Sequence, residues 1–359
     1  MKKQILFGLL ISAVFLFLAF RNVDIPEMMD ALEKANYWWL LPGIAMMFIS
    51  LYIRAHRWQY FLLGIAKVPI KKLFSAMMIG YMANNVLPLR LGEIMRALAI
   101  GNSAKISRTS AFATILVERI IDVISLLIIL GFTVFFHDFP PNIKNAGIFI
   151  FIGSIVLVVF IVLLMEKTNK TMRVVWWLCT PLPRRIRKSV NKNLRKFLSG
   201  FEIFRQAHHF PTIILQSILL WVLYAGIIYV TFFAFQIKVD DNSLFIVSLV
   251  ILVMISIGIM IPSSPGFIGT YHYLCQQGLA LFGVAETDAL SFAIVLHISN
   301  YIPMTLVGFY YFWKENLHFR DALAEKKLAV QNLNNDGKIE KSEAIELLQE
   351  KENSDVKIK

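Results

Sequence analysis

Cysteine is nearly absent: Cys179 and Cys275 are the only two in 359 residues, which excludes a disulfide framework and a cysteine-built metal site. Charge is scarce as well. Only 17% of the residues are charged, against about 25% in an average domain, and long stretches carry no charge at all. Gly-x-Ser-x-Gly, His-Glu-x-x-His and a Walker loop are all missing. This argues against an ATP-driven pump on this chain alone and leaves no catalytic constellation of familiar spacing, so a non-enzymatic role is the first expectation. What is abundant is apolar: 57% of the residues are hydrophobic and the mean hydropathy is +0.63. Several stretches reach the roughly 20 apolar residues that cross a bilayer.

The formal net charge of +12 does not point to nucleic acid, because the basic residues sit where a membrane protein places them. Eleven Lys or Arg against two Glu lie between Glu166 and Gln206, in a loop between two apolar stretches. Such juxtamembrane clusters mark the cytoplasmic face and attract anionic lipid head groups. Lys2-Lys3 followed by Ile5 to Phe20 resembles a signal peptide, but no small-residue cleavage pattern follows, so an uncleaved first span is expected. Further full spans are expected near 37–63, 109–136, 145–165, 211–236 and 287–313, after a first near 4–20. The positive-inside rule then puts both termini in the cytoplasm of a multi-pass cell-membrane protein.

Two regions, 73–103 and 243–283, are apolar but broken. Each contains Pro-x-x-x-Gly: Pro88-Leu-Arg-Leu-Gly92 and Pro262-Ser-Ser-Pro-Gly266. In lipid every backbone polar group must be satisfied, so a broken helix survives at depth only inside protein or beside a wet cavity. Lys71, Lys72, Lys105 and Arg108 bracket the first break with a cytoplasmic signature; Asp240, Asp241, Glu286 and Asp288 bracket the second with an external one. Opposite entry sides predict an inverted repeat with a transport site between the broken elements. Two proline kinks in ordinary spans are the plainer alternative. Whether each break is a re-entrant hairpin or two short spans stays open.

Ionisable residues inside a membrane domain are costly and pair with one another. Arg90, Glu93 and Arg96 follow the first break three residues apart, on one helix face, with Asn84 and Asn85 just before it to satisfy freed backbone groups. Glu118, Arg119 and Asp122 form a second cluster, and Glu118 and Asp122 are expected to pair with Arg90 or Arg96. The cluster is either a substrate site, with the arginines on a phosphate, or a structural ion-pair network. Arg54 and Arg57, beside Trp58 and Tyr60, read first as snorkelling side chains in an aromatic belt and second as lipid-phosphate contacts. In the second break Ser263, Ser264, Gly266, Gly269 and Thr270 offer hydroxyls and backbone N–H groups at a helix start, for an anion or simply for capping. His272, His297 and Asn300 read as helix–helix hydrogen bonds.

Taken together, Arg54-x-x-Arg57-Trp58, Gly80-x-x-x-Asn84-x-x-Leu87-Pro88-x-Arg90-x-Gly92-Glu93-x-x-Arg96, Glu118-Arg119-x-x-Asp122 and Ile261-Pro262-x-Ser264-Pro265-Gly266-x-x-Gly269-Thr270 resemble the flippase-like membrane domain of lysylphosphatidylglycerol synthases over roughly residues 1–315. The resemblance implies movement of a phospholipid, or of a polyprenyl-linked lipid, between leaflets. Full-length synthases also carry a soluble acyltransferase domain. Here some 45 residues follow the last span, so aminoacyl transfer is not expected of this chain. A membrane-embedded transferase, or a partner recruiting a soluble enzyme through the basic loop, are the alternatives.

The remaining segment, 316–359, is a charged tail. Asn332, Asn334, Asp336, Gly337 and Glu343 fit an EF-hand calcium loop with Asn in place of its first Asp. A weak calcium site and a solvated helix–turn–helix are both consistent with it. The expected fold is all-α: a polytopic integral membrane protein with about six full spans and two broken elements as an inverted repeat.

Overall fold

The computed structural model describes residues 2–87, 91–136, 141–166, 209–237, 239 and 244–317. Pro88 and Arg90, the basic segment from Lys167 to Gln206 with Cys179, and the tail residues Asn332, Asn334, Asp336 and Glu343 lie outside the described residues. The chain divides into two compact units, Met1–Tyr311 and Phe312–Lys359.

Regular structure among the described residues is entirely helical: α1 (Lys2–Phe20), α2 (Ile25–Lys34), α3 (Leu40–Leu62), α4 (Ile70–Val86), α5 (Gly92–Ala104), α6 (Arg108–Phe136), α7 (Pro141–Glu166), α8 (Phe210–Phe235), α9 (Leu244–Met260), α10 (Thr270–Ala280) and α11 (Glu286–Lys314). One-turn 3-10 segments precede α3 and α10, at Tyr37–Trp39 and Pro265–Phe267. Three stretches, Tyr37–Leu62, Phe210–Phe235 and Glu286–Lys314, are long and apolar enough to cross a membrane unbroken. Residues Leu6–Phe20 and Ile25–Lys34 meet at 85° and add a fourth if taken as one bent span. The expected membrane fold is therefore present, while the count of six full spans is finer than the helices themselves establish. α6 and α7 are helices of 29 and 26 residues at the remaining expected positions.

Local chemistry explains the bends. Asp24 caps α2, its carboxylate accepting the Glu27 N–H at 3.1 Å, so the chain turns sharply after Phe20. Asn36 does the same for the 3-10 turn, accepting the Trp38 N–H at 3.2 Å. The expected first span is built into the fold along α10. The Ser12 hydroxyl accepts the Ser264 N–H at 2.8 Å, and Gln276 donates to the Ala19 carbonyl at 3.1 Å. Ser12→Ala leaves the Ser264 N–H without that acceptor and is expected to cost about 1 kcal/mol, read as a lowered unfolding temperature in detergent.

Both broken regions are helical hairpins. α4 and α5, of 17 and 13 residues, pack on each other, as do α9 and α10, of 17 and 11. Among the described residues the second helix of each hairpin falls short of a bilayer span, and the first stands at the lower limit of about 17 residues. Each hairpin closes where a glycine meets backbone twelve residues on: a Cβ at Gly80 would sit 2.9 Å from the Gly92 carbonyl oxygen, and one at Gly258 would sit 2.9 Å from that of Thr270.

The matched Pro-x-x-x-Gly spacing holds only for the way out. Pro88 and Pro262 each stand two residues past the end of their first helix, but re-entry differs. The first break spans five residues and Gly92 opens α5; the second spans nine and Thr270 opens α10, so Gly266 is not the counterpart of Gly92. The four extra residues accommodate the Pro265–Phe267 turn, which needs left-handed backbone at Gly266 (φ 69°) and Gly269 (φ 95°). The hairpin tips touch. Asn85 donates to the Thr305 hydroxyl at 2.7 Å, its carbonyl accepts from Tyr301 at 3.1 Å, and the end of α4 packs on the Pro265–Phe267 turn.

Candidate functional site

Helical spacing aims two charged strips at each other. Arg54 and Arg57 are three apart on α3; Glu118 and Asp122 are four apart on α6, and α3 packs on α6. Glu118, wholly buried, accepts Arg54 Nε at 2.6 Å and an Arg96 terminal N–H from α5 at 2.7 Å. Asp122 accepts from Arg57 at 2.7 Å and from the other end of the Arg54 guanidinium. Arg57 also donates to the Ser217 hydroxyl at 2.8 Å, and Arg54 to the Tyr224 hydroxyl at 3.0 Å, both on α8.

The snorkelling reading of Arg54 and Arg57 is therefore overturned. Arg57 is 0% and Arg54 5% exposed, because α6 presents two carboxylates that solvate the guanidiniums inside the bundle. Trp58 is not a belt residue either: it is fully buried, donates to the Thr114 hydroxyl at 2.9 Å, and lies under the Arg96 guanidinium, 3.7 Å from its ring centre. Of the pairs expected for the two carboxylates, Arg96–Glu118 forms; among the described residues Asp122 pairs with Arg54 and Arg57, and pairing with Arg90 lies outside them.

Toward the hairpin tip this buried core opens into a small, half-open cleft lined by Met77, Gly80, Tyr81, Asn84, Gly92, Glu93, Arg96 and Arg119. Here the pairs are looser. Arg119 lies 3.6 Å from Glu93 and 3.8 Å from Asp122, and its side chain is 40% exposed. Asn84 fulfils the expected role, accepting the Gly92 N–H at 2.8 Å and so capping the re-entering helix. Among the described residues, four guanidiniums, of Arg54, Arg57, Arg96 and Arg119, face three carboxylates, of Glu93, Glu118 and Asp122, an excess of one positive charge. The Nε atoms of Arg57, Arg96 and Arg119 are buried without a hydrogen-bond partner.

The structure brings Arg54, Arg57, Asn84, Glu93, Arg96, Glu118, Arg119 and Asp122 together and leaves the second break outside the cleft lining. Its groups serve the protein itself: the Ser263 and Thr270 hydroxyls lie 3.2 Å apart, Thr270 donates to the Phe267 carbonyl at 3.2 Å, and the Gly269 N–H goes to His272 at 3.3 Å. Tyr81, Ser217 and Tyr224 were missed. The α8 pair carried a signal, since a hydroxyl pair seven apart in an apolar helix shares a face.

The arrangement of these motifs agrees with a known pattern: that of the lysylphosphatidylglycerol synthase TM region matches residues 5–308. This chain belongs to that family. Relatives are archaeal UPF0104 membrane proteins. That of Methanothermobacter thermautotrophicus is 26% identical over 302 residues, 79% of this chain and 87% of the relative. That of Pyrococcus horikoshii is 24% identical over 329 residues, 86% and 96%, and that of Methanocaldococcus jannaschii 20% over 323 residues, 84% and 92%. The lysylphosphatidylglycerol synthase TM-region match takes in both hairpins and every residue of the charge cluster.

Proposed function

We propose that this chain moves a lipid with an anionic, phosphate-bearing head group between membrane leaflets, and that the cleft beside Glu93, Arg96 and Arg119 takes the head group. The observation that carries the reading is the excess of one positive charge among the described residues of the cluster, placed next to a cleft lined by Arg96 and Arg119, whose buried Nε atoms lack a hydrogen-bond partner. Arg is suited to phosphate through its planar fork of donors, and a charge kept unbalanced at membrane depth is costly unless a ligand meets it. Arg90 stands two residues before Gly92 in the sequence and would add a further donor.

Two hairpins with touching tips, each closed by a glycine against a carbonyl twelve residues on, support an inverted repeat with hairpins entering from opposite sides. In this reading the chain has six full spans besides the hairpins, sits in the cell membrane with both termini in the cytoplasm, and uses the basic loop to gather anionic lipid. Glu93 would hold Arg119 in place between passages.

The test is transbilayer movement of fluorescent phosphatidylglycerol in proteoliposomes. Wild type is expected to equilibrate the probe, and Arg119→Gln and Glu93→Gln to slow it at least tenfold at an unchanged unfolding temperature, since exposed, long pairs contribute little stability. Variants that unfold no earlier and move lipid as fast as wild type would remove the cleft from the mechanism.

A further inference from the structure

A second polar centre lies in the other half of the bundle, and the head-group cleft makes no use of it. His272, at the start of α10, and His297, in α11, face each other with His272 Nε2 3.3 Å from His297 Nδ1. The backbone N–H of Gly269 donates to His272 Nδ1 at 3.3 Å. These bonds fix the tautomers. A donor on His272 Nδ1 puts that ring's proton on Nε2, aimed at His297 Nδ1; the His297 proton is then on Nε2. His297 stacks on Tyr271, ring centres 4.4 Å apart at 19°, and meets Tyr301 edge-on at 5.5 Å.

Both basic nitrogens of this chain are occupied, so a third proton has no free lone pair. Protonation at His297 Nδ1 sets two N–H groups against each other and breaks the link between α10 and α11. Protonation at His272 Nδ1 expels the Gly269 N–H. Either event loosens the second break at its two left-handed glycines, Gly266 and Gly269. Among the described residues the charged form meets no counter-charge nearby. α9 carries no ionisable residue, α1 carries only Lys2 and Lys3 at its start, and α4 contributes Lys71, Lys72 and Tyr81, of which Tyr81 lines the arginine cleft. On α10 and α11 the titratable groups around the pair are Tyr271, Cys275 and Tyr301. His272 is 8% exposed and His297 is half-buried.

The pair also has a physical link to the cleft. Tyr301, in contact with His297, donates to the Asn85 carbonyl, and the neighbouring Asn84 holds the Gly92 N–H at the cleft wall. A displaced Tyr301 pulls on the α4 tip that carries both asparagines.

We propose that His272 and His297 form a proton-binding site whose loading and release couple a transmembrane proton gradient to head-group movement in the cleft. This rests on the translocase reading above. The experiment uses phosphatidylcholine proteoliposomes with fluorescent phosphatidylglycerol, the membrane potential held at zero by potassium and valinomycin, and a pH gradient of about one unit. For one proton per lipid, the leaflet ratio of the probe shifts from unity by up to about tenfold. His297→Gln, His297→Asn and His272→Gln still equilibrate the probe, but the ratio stays at unity whatever the gradient; the two His297 variants, at the more exposed ring, keep the test decisive if His272→Gln does not fold. Wild type that equilibrates the probe evenly despite the gradient, or folded histidine variants that keep the asymmetry, overturn the proton site and leave the translocase intact. No probe movement by wild type overturns the translocase reading and the coupling with it.

Discussion

Glu118→Gln destabilises the protein by about 3–5 kcal/mol, the range for removing one partner from a buried ion pair, and lipid movement falls with the fold. One carboxylate here serves three guanidiniums: Arg54 at 2.6 Å, Arg96 at 2.7 Å and Arg57 at 4.0 Å. Its neutral amide presents one acceptor where two were used and turns an N–H pair toward the second arginine. Arg57 and Arg96 are almost wholly buried, so the unbalanced charge has no route to water. Intrinsic tryptophan fluorescence during heating in detergent reads the loss directly, since Trp58 lies beneath Arg96. An unfolding temperature equal to wild type would mean that the network does not hold α3, α5 and α6 together.

Gly92→Ala separates α4 from α5. A Cβ there runs into the Gly80 carbonyl oxygen and the Asn84 side chain, both in the first helix of the hairpin. Backbone cannot swing aside as a side-chain end can, so the helices part. Overpacking of this kind costs about 1–3 kcal/mol. The cleft depends on the same contact, because Asn84 is bonded to the Gly92 N–H and Arg96 lies one turn on. Transport is therefore expected to fall further than stability. Gly153→Ala is the control: nothing lies within 4 Å of a Cβ at that position, and its effect stays within about 0.5 kcal/mol. Equal behaviour of the two variants would contradict the close approach at Gly92.

Both predictions rest on features of unequal visibility in the sequence. The broken regions were legible because proline and glycine inside apolar stretches leave backbone groups that lipid cannot satisfy. The pairing strip of Glu118 and Asp122 was legible from helical spacing. Arg54 and Arg57 were misread, because an arginine near the end of an apolar run looks the same whether its partner is a head group or a carboxylate some 60 residues later. Only the packing of α6 on α3 decides, and that contact has no local signal. The register of the second hairpin was hidden for a different reason. Pro262-x-x-x-Gly266 mimics the first break in sequence, yet the extra turn around Gly266 moves the helix start to Thr270. The histidine pair was visible only as two separate polar residues, 25 positions apart.

The central claim is that the arginine cleft reads a phosphate on a lipid crossing the membrane. The most direct measurement compares, in the same proteoliposomes, the protein-dependent movement of fluorescent phosphatidylglycerol with that of a second charged lipid whose head group carries a carboxylate and no phosphate. The account predicts that phosphatidylglycerol crosses at least tenfold faster, and that this preference is lost in Arg119→Gln. Equal rates for the two lipids, unchanged by the substitution, would contradict it.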